Sequence, residues 1–284
     1  MGGLSRTVML AVAAVSFLAA CENSGEPDPS STLNFDAAVV AADGVLEDLQ
    51  MMHGPKLGLR GAVFPPLPNE SDCFQADGQF QCHPFERDGL TYTRTITYLD
   101  ENGDPQTDEN GDPLYDEATT DGIRYQISVE GDFDREWWSA SIDRERDLTV
   151  TGLKDDNSEA GGDGVVTWNG SGSGYVERSH HSDGGAFRLY TIESSSVIGA
   201  VVVPYPRTED GWPVSGTITR AMTITRESDT GDGGTVTRTV TIEFTGEQFV
   251  TVTVGDDTYT LDLSERGFGP AKMRDRHRQT MRGH

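Results

Sequence analysis

The sequence has few cysteines, few basic residues and no long apolar run. Its three cysteines are an odd number, so at least one of them needs an account other than an intramolecular disulfide. Lys and Arg total 22 against 47 Asp and Glu, a formal net charge of −25 at pH 7. An acidic protein of this kind repels nucleic acid. We therefore exclude nucleic acid as a partner.

The first 20 residues have the pattern of an export signal. Arg6 precedes an apolar stretch, residues 8–20, whose 13 residues are fewer than the roughly 20 that a membrane-spanning helix needs. The stretch ends in "LAAC", Leu18 to Cys21, which resembles the lipobox of bacterial lipoproteins. The resemblance implies cleavage by signal peptidase II before Cys21 and acylation of Cys21. An ordinary secretory signal with an incidental cysteine is the alternative.

A lipid on Cys21 would place the protein on the cell envelope, since two or more acyl chains hold a protein stably on a bilayer. In export systems that sort lipoproteins by the following residue, Glu22 favours the outer over the inner membrane. We therefore expect a lipid-anchored envelope protein whose membrane contact is its N-terminal lipid.

The other two cysteines predict a disulfide-bridged hairpin. In "CFQADGQFQC", Asp77-Gly78 is typical of a two-residue type I′ turn. Pairing outward from this turn sets Cys73 opposite Cys82, and an oxidising compartment favours a bridge between them. A metal site built from these two cysteines alone is the less favoured alternative.

The remaining chain divides by composition. Helical spacing of apolar residues from Phe35 to Met52 predicts one helix, although Gly44 weakens it. The expected segments are 1–20 signal peptide, 21–33 flexible tether, 34–53 helix, 54–70 Pro/Gly-rich connector, 71–268 β domain and 269–284 basic tail. The tail carries five basic residues against one Asp. We expect it to be disordered; an acidic partner, anionic lipid or the acidic body of the protein itself are alternative contacts.

Strict alternation of apolar residues and threonine dominates the β domain. It predicts strands at 90–99, 214–226, 235–244, 249–254 and 259–263. Short turns between them favour consecutive antiparallel pairing. We predict a mainly β fold: an antiparallel meander, barrel-like or strongly curved, with one N-terminal helix.

Three arginines interrupt the apolar faces of these strands: Arg94, Arg220 and Arg238. Because a buried guanidinium needs partners, one hypothesis is an anion or ligand contact inside the curved sheet. The alternative, which we favour, is pairing with internal carboxylates such as Glu243 or Asp262, or extension of the side chains to solvent.

A tandem repeat, "DENGDPQT" followed by "DENGDPLY", resembles the start of a calcium-binding loop. The motif is incomplete, because Pro105 and Pro113 replace the glycine and the last glutamate is missing. We therefore predict a surface loop and no metal. Weak calcium binding is the alternative, through Asp100, Asn102, Asp104, Asp108, Asn110 and Asp112.

No segment carries a recognisable catalytic constellation. His180 and His181 are adjacent, a poor spacing for a shared metal on a strand, and we expect a loop there. The segments "CFQADGQFQC", "DLTVTGL", "WNGSGSG" and "TVTRTVTIEF" resemble uncharacterised β-rich lipoproteins of environmental bacteria. That resemblance implies no activity.

We therefore expect a protein that is not an enzyme and has no cofactor. Its β domain would bind an envelope protein or give structural support. The alternative is a carrier for a lipid or other hydrophobic ligand held by a curved sheet. An apolar cavity would favour the carrier, whereas an apolar face sealed by side chains and the helix would favour binding or support.

Overall fold

The computed structural model describes the protein from residue 37 to residue 264, with gaps. The described residues are 37–38, 40–42, 44–46, 48–49, 52, 73–87, 89–116, 118–135, 138–154, 164–181, 187–205, 211–228 and 233–264. The signal peptide with Cys21, the tether, the whole connector and the basic tail lie outside them. Within the described residues, no helix is both long and apolar enough to span a bilayer.

Eleven antiparallel strands form one sheet, and each strand pairs with the next in the chain. The strands are β1 Cys73–Ala76, β2 Gln79–Arg87, β3 Leu90–Leu99, β4 Gly122–Arg135, β5 Trp138–Thr151, β6 Gly164–His181, β7 Phe187–Tyr205, β8 Ser215–Ser228, β9 Gly234–Glu243, β10 Phe249–Val254 and β11 Asp257–Asp262. Among the described residues no pairing joins β11 to β1, so the sheet is strongly curved but not closed. The predicted mainly β meander is confirmed.

The helix, α1, has its described residues between 37 and 52. Ala37, Ala41, Val45 and Leu49 recur at helical spacing and are almost fully buried. They belong to the same apolar cluster as side chains from β3 to β11. The helix therefore covers one side of the sheet, which we call the helix-facing side.

The two sides of the sheet differ because successive strand residues point to opposite faces. On β8, Ile218, Arg220, Met222 and Ile224 are buried on the helix-facing side. The residues between them point to the other side, which we call the outer face. Threonine is frequent there, as in Thr217, Thr219, Thr223 and Thr225 of β8. This is the pattern of an antiparallel sheet with one side in the core.

The disulfide hairpin is confirmed. Cys73 pairs with Cys82 across β1 and β2 in the predicted register, and the two cysteines form a disulfide. Asp77 and Gly78 have φ values of 53° and 72°, the positive values that a type I′ turn requires.

Two details of the β domain differ from expectation. His180 and His181 lie in β6, not in a loop, because the strand continues through the polar end of "GYVERSHH". The four strands β4 to β7 have 14 to 19 residues and are longer than any strand outlined from the sequence. Register shifts at Trp168–Gly170 and Gly199–Val202 accommodate the curvature of these long strands.

Candidate functional site

A buried ion-pair cluster joins the helix to the middle of the sheet. Asp48 of α1 is fully buried, and Arg146 of β5 and Arg220 of β8 are 7% and 5% exposed. Nε of Arg146 donates to Oδ1 of Asp48 at 2.9 Å, and Nη2 of Arg220 donates to Oδ2. One carboxylate thus holds two guanidinium groups from two strands, an arrangement that we call the Asp48 cluster.

Backbone oxygens add further contacts to the Asp48 cluster. Nη2 of Arg220 also donates to the carbonyl of Gly44, 2.9 Å away. Nη1 of Arg146 donates to the carbonyls of Glu145 and Ser173, at 2.8 and 3.0 Å. Each of these hydrogen bonds lowers the cost of burying a guanidinium group.

Two glycines make room for the arginines. A Cβ on Gly44 would lie 2.5 Å from Cζ of Arg220, and a Cβ on Gly172 would lie 2.6 Å from Cδ of Arg146. Both distances are too short for real carbon contacts. The "GSGSG" stretch of β6 thus leaves space on the helix-facing side while its serines point outward.

Of the three predicted arginines, only Arg220 belongs to the Asp48 cluster. Arg238 is half-buried and donates from Nη1 to the carbonyl of Thr237. It lies diagonally from Arg220, because Arg220 pairs with Val240 and Met222 with Arg238. The expected carboxylate partners are elsewhere: Glu243 lies on the outer face, and Asp262 accepts hydrogen bonds from Gln248 and Ser264.

Arg94 lies in the same lateral row of the sheet. Arg94 pairs with Ile127, Ile127 with Arg146, and the row continues through Gly172 and Ser196 to Arg220. Burial raises the pKa of the Tyr98 and Tyr125 hydroxyls, and the charge of Arg94 partly opposes this rise. The structure therefore places Arg94 near buried tyrosines, and the half-buried Arg238 opposite Met222, in the row next to that of Arg220.

Sequence reasoning missed Asp48 and Arg146. The spacing of Asp48 in the sequence predicts that it is buried. It follows Val45 by three residues and precedes Met52 by four, and therefore lies on the apolar stripe of the helix. Burial of Arg146 is harder to predict, because the charged segment "DRERD" is typical of a solvent-exposed surface. However, Arg146 shares the two-residue period of Ile142, Leu148 and Val150, all of which are buried.

Two grooves formed by described residues lie on the outer face. One has a volume of about 540 Å³, and its walls include Asp143, Glu145, Tyr175, Glu193 and Thr223. The other has a volume of about 450 Å³ and is lined mainly by hydroxyl, amide and carboxylate side chains of β3 to β6. Glu145 and Ser173 line both, so the two grooves adjoin.

Charges are segregated between the two sides of the sheet. The register places the following arginines on the helix-facing side: Arg94, Arg144, Arg146, Arg178, Arg220, Arg226 and Arg238. It places the following carboxylates on the outer face: Glu130, Asp132, Asp143, Glu145, Asp147, Glu177, Glu193, Glu227 and Glu243. The outer face is therefore acidic.

Arg124 departs from this segregation. Arg124 lies on the outer face and holds Asp147 through two hydrogen bonds, of 2.8 and 2.5 Å. Its hydrogen bonds hold the pKa of Asp147 below the ordinary range. Stabilisation from this pair is present above the unfolded pKa of Asp and is lost as pH falls through the lower folded pKa.

The tandem repeat forms two turns with the same hydrogen bonds. Oδ1 of Asp100 accepts from the amides of Asn102 and Asp104, at 2.8 and 2.9 Å. Oδ1 of Asp108 accepts from the corresponding amides of the second repeat, at 2.8 and 2.9 Å. These backbone hydrogen bonds lower the pKa of both aspartates. The repeat is thus built from Asx turns.

The six residues of the calcium hypothesis are divided between the two turns, three in each. Asp100 and Asp108 each cap their own turn. Across the described ranges, no three His, Cys, Asp or Glu side chains are grouped so that they could hold a metal ion.

Comparison with known proteins adds no assignment: no family model, curated protein or solved structure matches this chain.

Proposed function

We propose that this protein is a lipid-anchored envelope protein. We favour the outer membrane over the inner membrane as its location. Its β domain serves binding or structural support without catalysis. The observation that supports the proposal is that the apolar side of the sheet is covered by the helix and by buried side chains. The helix closes that side with buried alanines, Val45 and the Asp48 cluster.

A carrier for a hydrophobic ligand is supported less well. Such a carrier would need an apolar cavity on the helix-facing side. There the side chains of Leu148, Ile218 and Val240 are fully buried in one cluster with the helix. Both grooves described above have polar, acidic walls on the outer face. Arg220, which the carrier hypothesis places against an anionic ligand, already binds Asp48.

Membrane attachment tests the anchor. The full chain, exported in a bacterium that processes lipoproteins, should be found in the membrane fraction and should need detergent for extraction. Cys21→Ser removes the acylated sulfur and should release the protein into the soluble periplasmic fraction. The control is the double variant Cys73→Ser/Cys82→Ser, which loses the bridge and should stay on the membrane. Unchanged membrane attachment of Cys21→Ser would overturn the proposed anchor.

Native mass spectrometry separates binding or support from a carrier function. The Cys21→Ser protein, purified from periplasm without detergent, should show the mass of the polypeptide alone. A bound mass that organic solvent extracts as a lipid would favour the carrier and contradict the sealed apolar side.

A further inference from the structure

The outer face and the C-terminal segment of this protein have opposite charges. Asp143, Glu145 and Glu193 line the 540 Å³ groove, all three are exposed, and none forms an ion pair among the described residues. Asp147, the next outward carboxylate on β5, is paired with Arg124. The groove therefore presents three negative charges without a basic partner in the described part of the chain.

The C-terminal segment carries its positive charges at every second position. Lys272, Arg274, Arg276 and Arg278 alternate with other residues in "KMRDRHR". In an extended chain, alternate side chains lie on one side with a repeat of about 6.6 to 6.8 Å. Asp143 and Glu145 are separated by the same repeat along β5. Glu193 lies two strands away, opposite Tyr175, which pairs with Asp143.

The length of the chain permits contact within one molecule. Arg276 follows Ser264, the last described residue, by 12 residues, and an extended chain of that length reaches about 40 Å. Six strand-to-strand steps separate β11 from β5, which amounts to about 29 Å at the usual strand spacing.

We propose that the basic segment 272–278 docks in extended form into the acidic groove of the outer face, in the same molecule. Its four cations would face Asp143, Glu145 and Glu193, and the hydroxyls of Ser173, Tyr175 and Thr223 would surround the contact. Each exposed ion pair is weak, so the docking depends on several pairs together and on the high local concentration that the tether provides. Because the pairs are exposed, salt weakens the docking.

Carbodiimide cross-linking of the full chain tests the docking directly, because it joins a lysine amine to a carboxylate only when the two are in contact. The chain has three lysines: Lys56, Lys154 and Lys272. At low salt, we expect peptide mapping to find Lys272 joined to Asp143, Glu145 or Glu193. At about 0.5 M salt the yield should fall several-fold. Lys154, whose Nζ lies 3.5 Å from Glu101, provides an internal positive control in every sample.

Two matched variants establish which carboxylates matter. The groove variant is Asp143→Asn/Glu145→Gln/Glu193→Gln. The control variant is Glu227→Gln/Glu243→Gln, which removes carboxylates of the same face that do not line the groove. Trypsin cleavage after Arg274 and Arg276 gives an independent readout. We expect the parent and the control to be cut several-fold more slowly than the groove variant at low salt.

Three outcomes would overturn the proposal. In the first, Lys272 forms no cross-link to the groove although Lys154 is joined to Glu101. In the second, cross-links form only between isotopically distinct copies, which would assign the segment to a second molecule. In the third, the segment is protected from trypsin only when phosphatidylglycerol vesicles are added, which would make it a membrane-surface segment. None of these depends on whether Cys21 is acylated.

Discussion

At the scale of single residues, Asp48 links the helix to two strands of the sheet through buried ion pairs. It is fully buried and contacts Arg146 and Arg220, which are themselves buried. Removing one member of a buried ion pair typically costs about 3–5 kcal/mol, because the remaining charge stays buried without compensation. Here the loss of Asp48 would leave two guanidinium groups in that state.

Asp48→Ala should therefore lower the free energy of unfolding by at least about 3 kcal/mol, which corresponds to a decrease in Tm of roughly 10 °C for a domain of this size. Thermal unfolding followed by circular dichroism measures the change. The control is Asp147→Ala, which breaks the exposed pair with Arg124 and should cost about 1 kcal/mol or less. Equal effects of the two substitutions would refute the special role of Asp48.

A triple variant distinguishes charge burial from loss of packing. Replacement of a whole buried ion cluster by apolar residues of similar volume is often neutral or stabilising. Asp48→Leu/Arg146→Met/Arg220→Met should accordingly be more stable than Asp48→Ala. A triple variant less stable than Asp48→Ala would show that the arginines contribute packing that methionine cannot replace.

The sequence predicts part of the Asp48 cluster. Arg220 stands out because it interrupts "TITRAMTIT", where its neighbours of the same face are apolar. Arg146 does not stand out, because acidic residues of the outer face surround it in "DRERD" and hide the alternation. The pairing itself joins residues 98 and 172 positions apart in the chain, which local periodicity cannot reveal.

At the scale of elements, the strands that the sequence predicts best are those that alternate simply. Strand β10 has the predicted bounds, and β3 also begins and ends as expected. Strands β5 and β6 are harder to predict. Arginine and glycine occupy core-facing positions in these strands, so the expected apolar period is broken where the helix packs closest.

Gly172 of β6 is also needed for the Asp48 cluster. Because it has no side chain, Arg146 can lie across β6. Gly172→Ala should place Cβ 2.6 Å from Cδ of Arg146 and 2.9 Å from the carbonyl of Glu145. The backbone carbonyl cannot move away easily, so we expect a loss of about 1–3 kcal/mol in the free energy of unfolding. Chemical denaturation monitored by tryptophan fluorescence measures it.

Gly234→Ala is the matched control for Gly172→Ala. Gly234 also lies in a strand, but a Cβ there would meet nothing within 4 Å. The control should be neutral or slightly stabilising, within about 0.5 kcal/mol of the parent. If Gly172→Ala behaves in the same way, the close approach of Arg146 to β6 is not needed for stability.

At the scale of the whole molecule, the segregation of charge between the two sides of the sheet lowers the stability of the folded protein. The formal net charge is −25 at pH 7, and the carboxylates of β4 to β9 gather on the outer face. Glu130 on β4 lies directly opposite Asp143 on β5. Like charges at such a cross-strand position are destabilising, and general self-repulsion adds to this effect.

Glu130→Gln should therefore raise the free energy of unfolding by about 0.2–1 kcal/mol at low ionic strength, because it removes one of two facing negative charges. The gain should shrink at about 0.5 M salt, where screening has already weakened the repulsion.

The control is Glu243→Gln, since Glu243 faces Thr217 and Thr251 across the neighbouring strands and has no like charge opposite. Denaturant titrations of the parent and both variants measure the free energy of unfolding at low and high salt. They give the difference between each variant and the parent at each salt concentration. A gain for Glu130→Gln that persists at high salt would point to side-chain packing as its cause. Docking of segment 272–278 on Asp143 would reduce this gain, and a loss at low salt would mean that the same segment also pairs with Glu130.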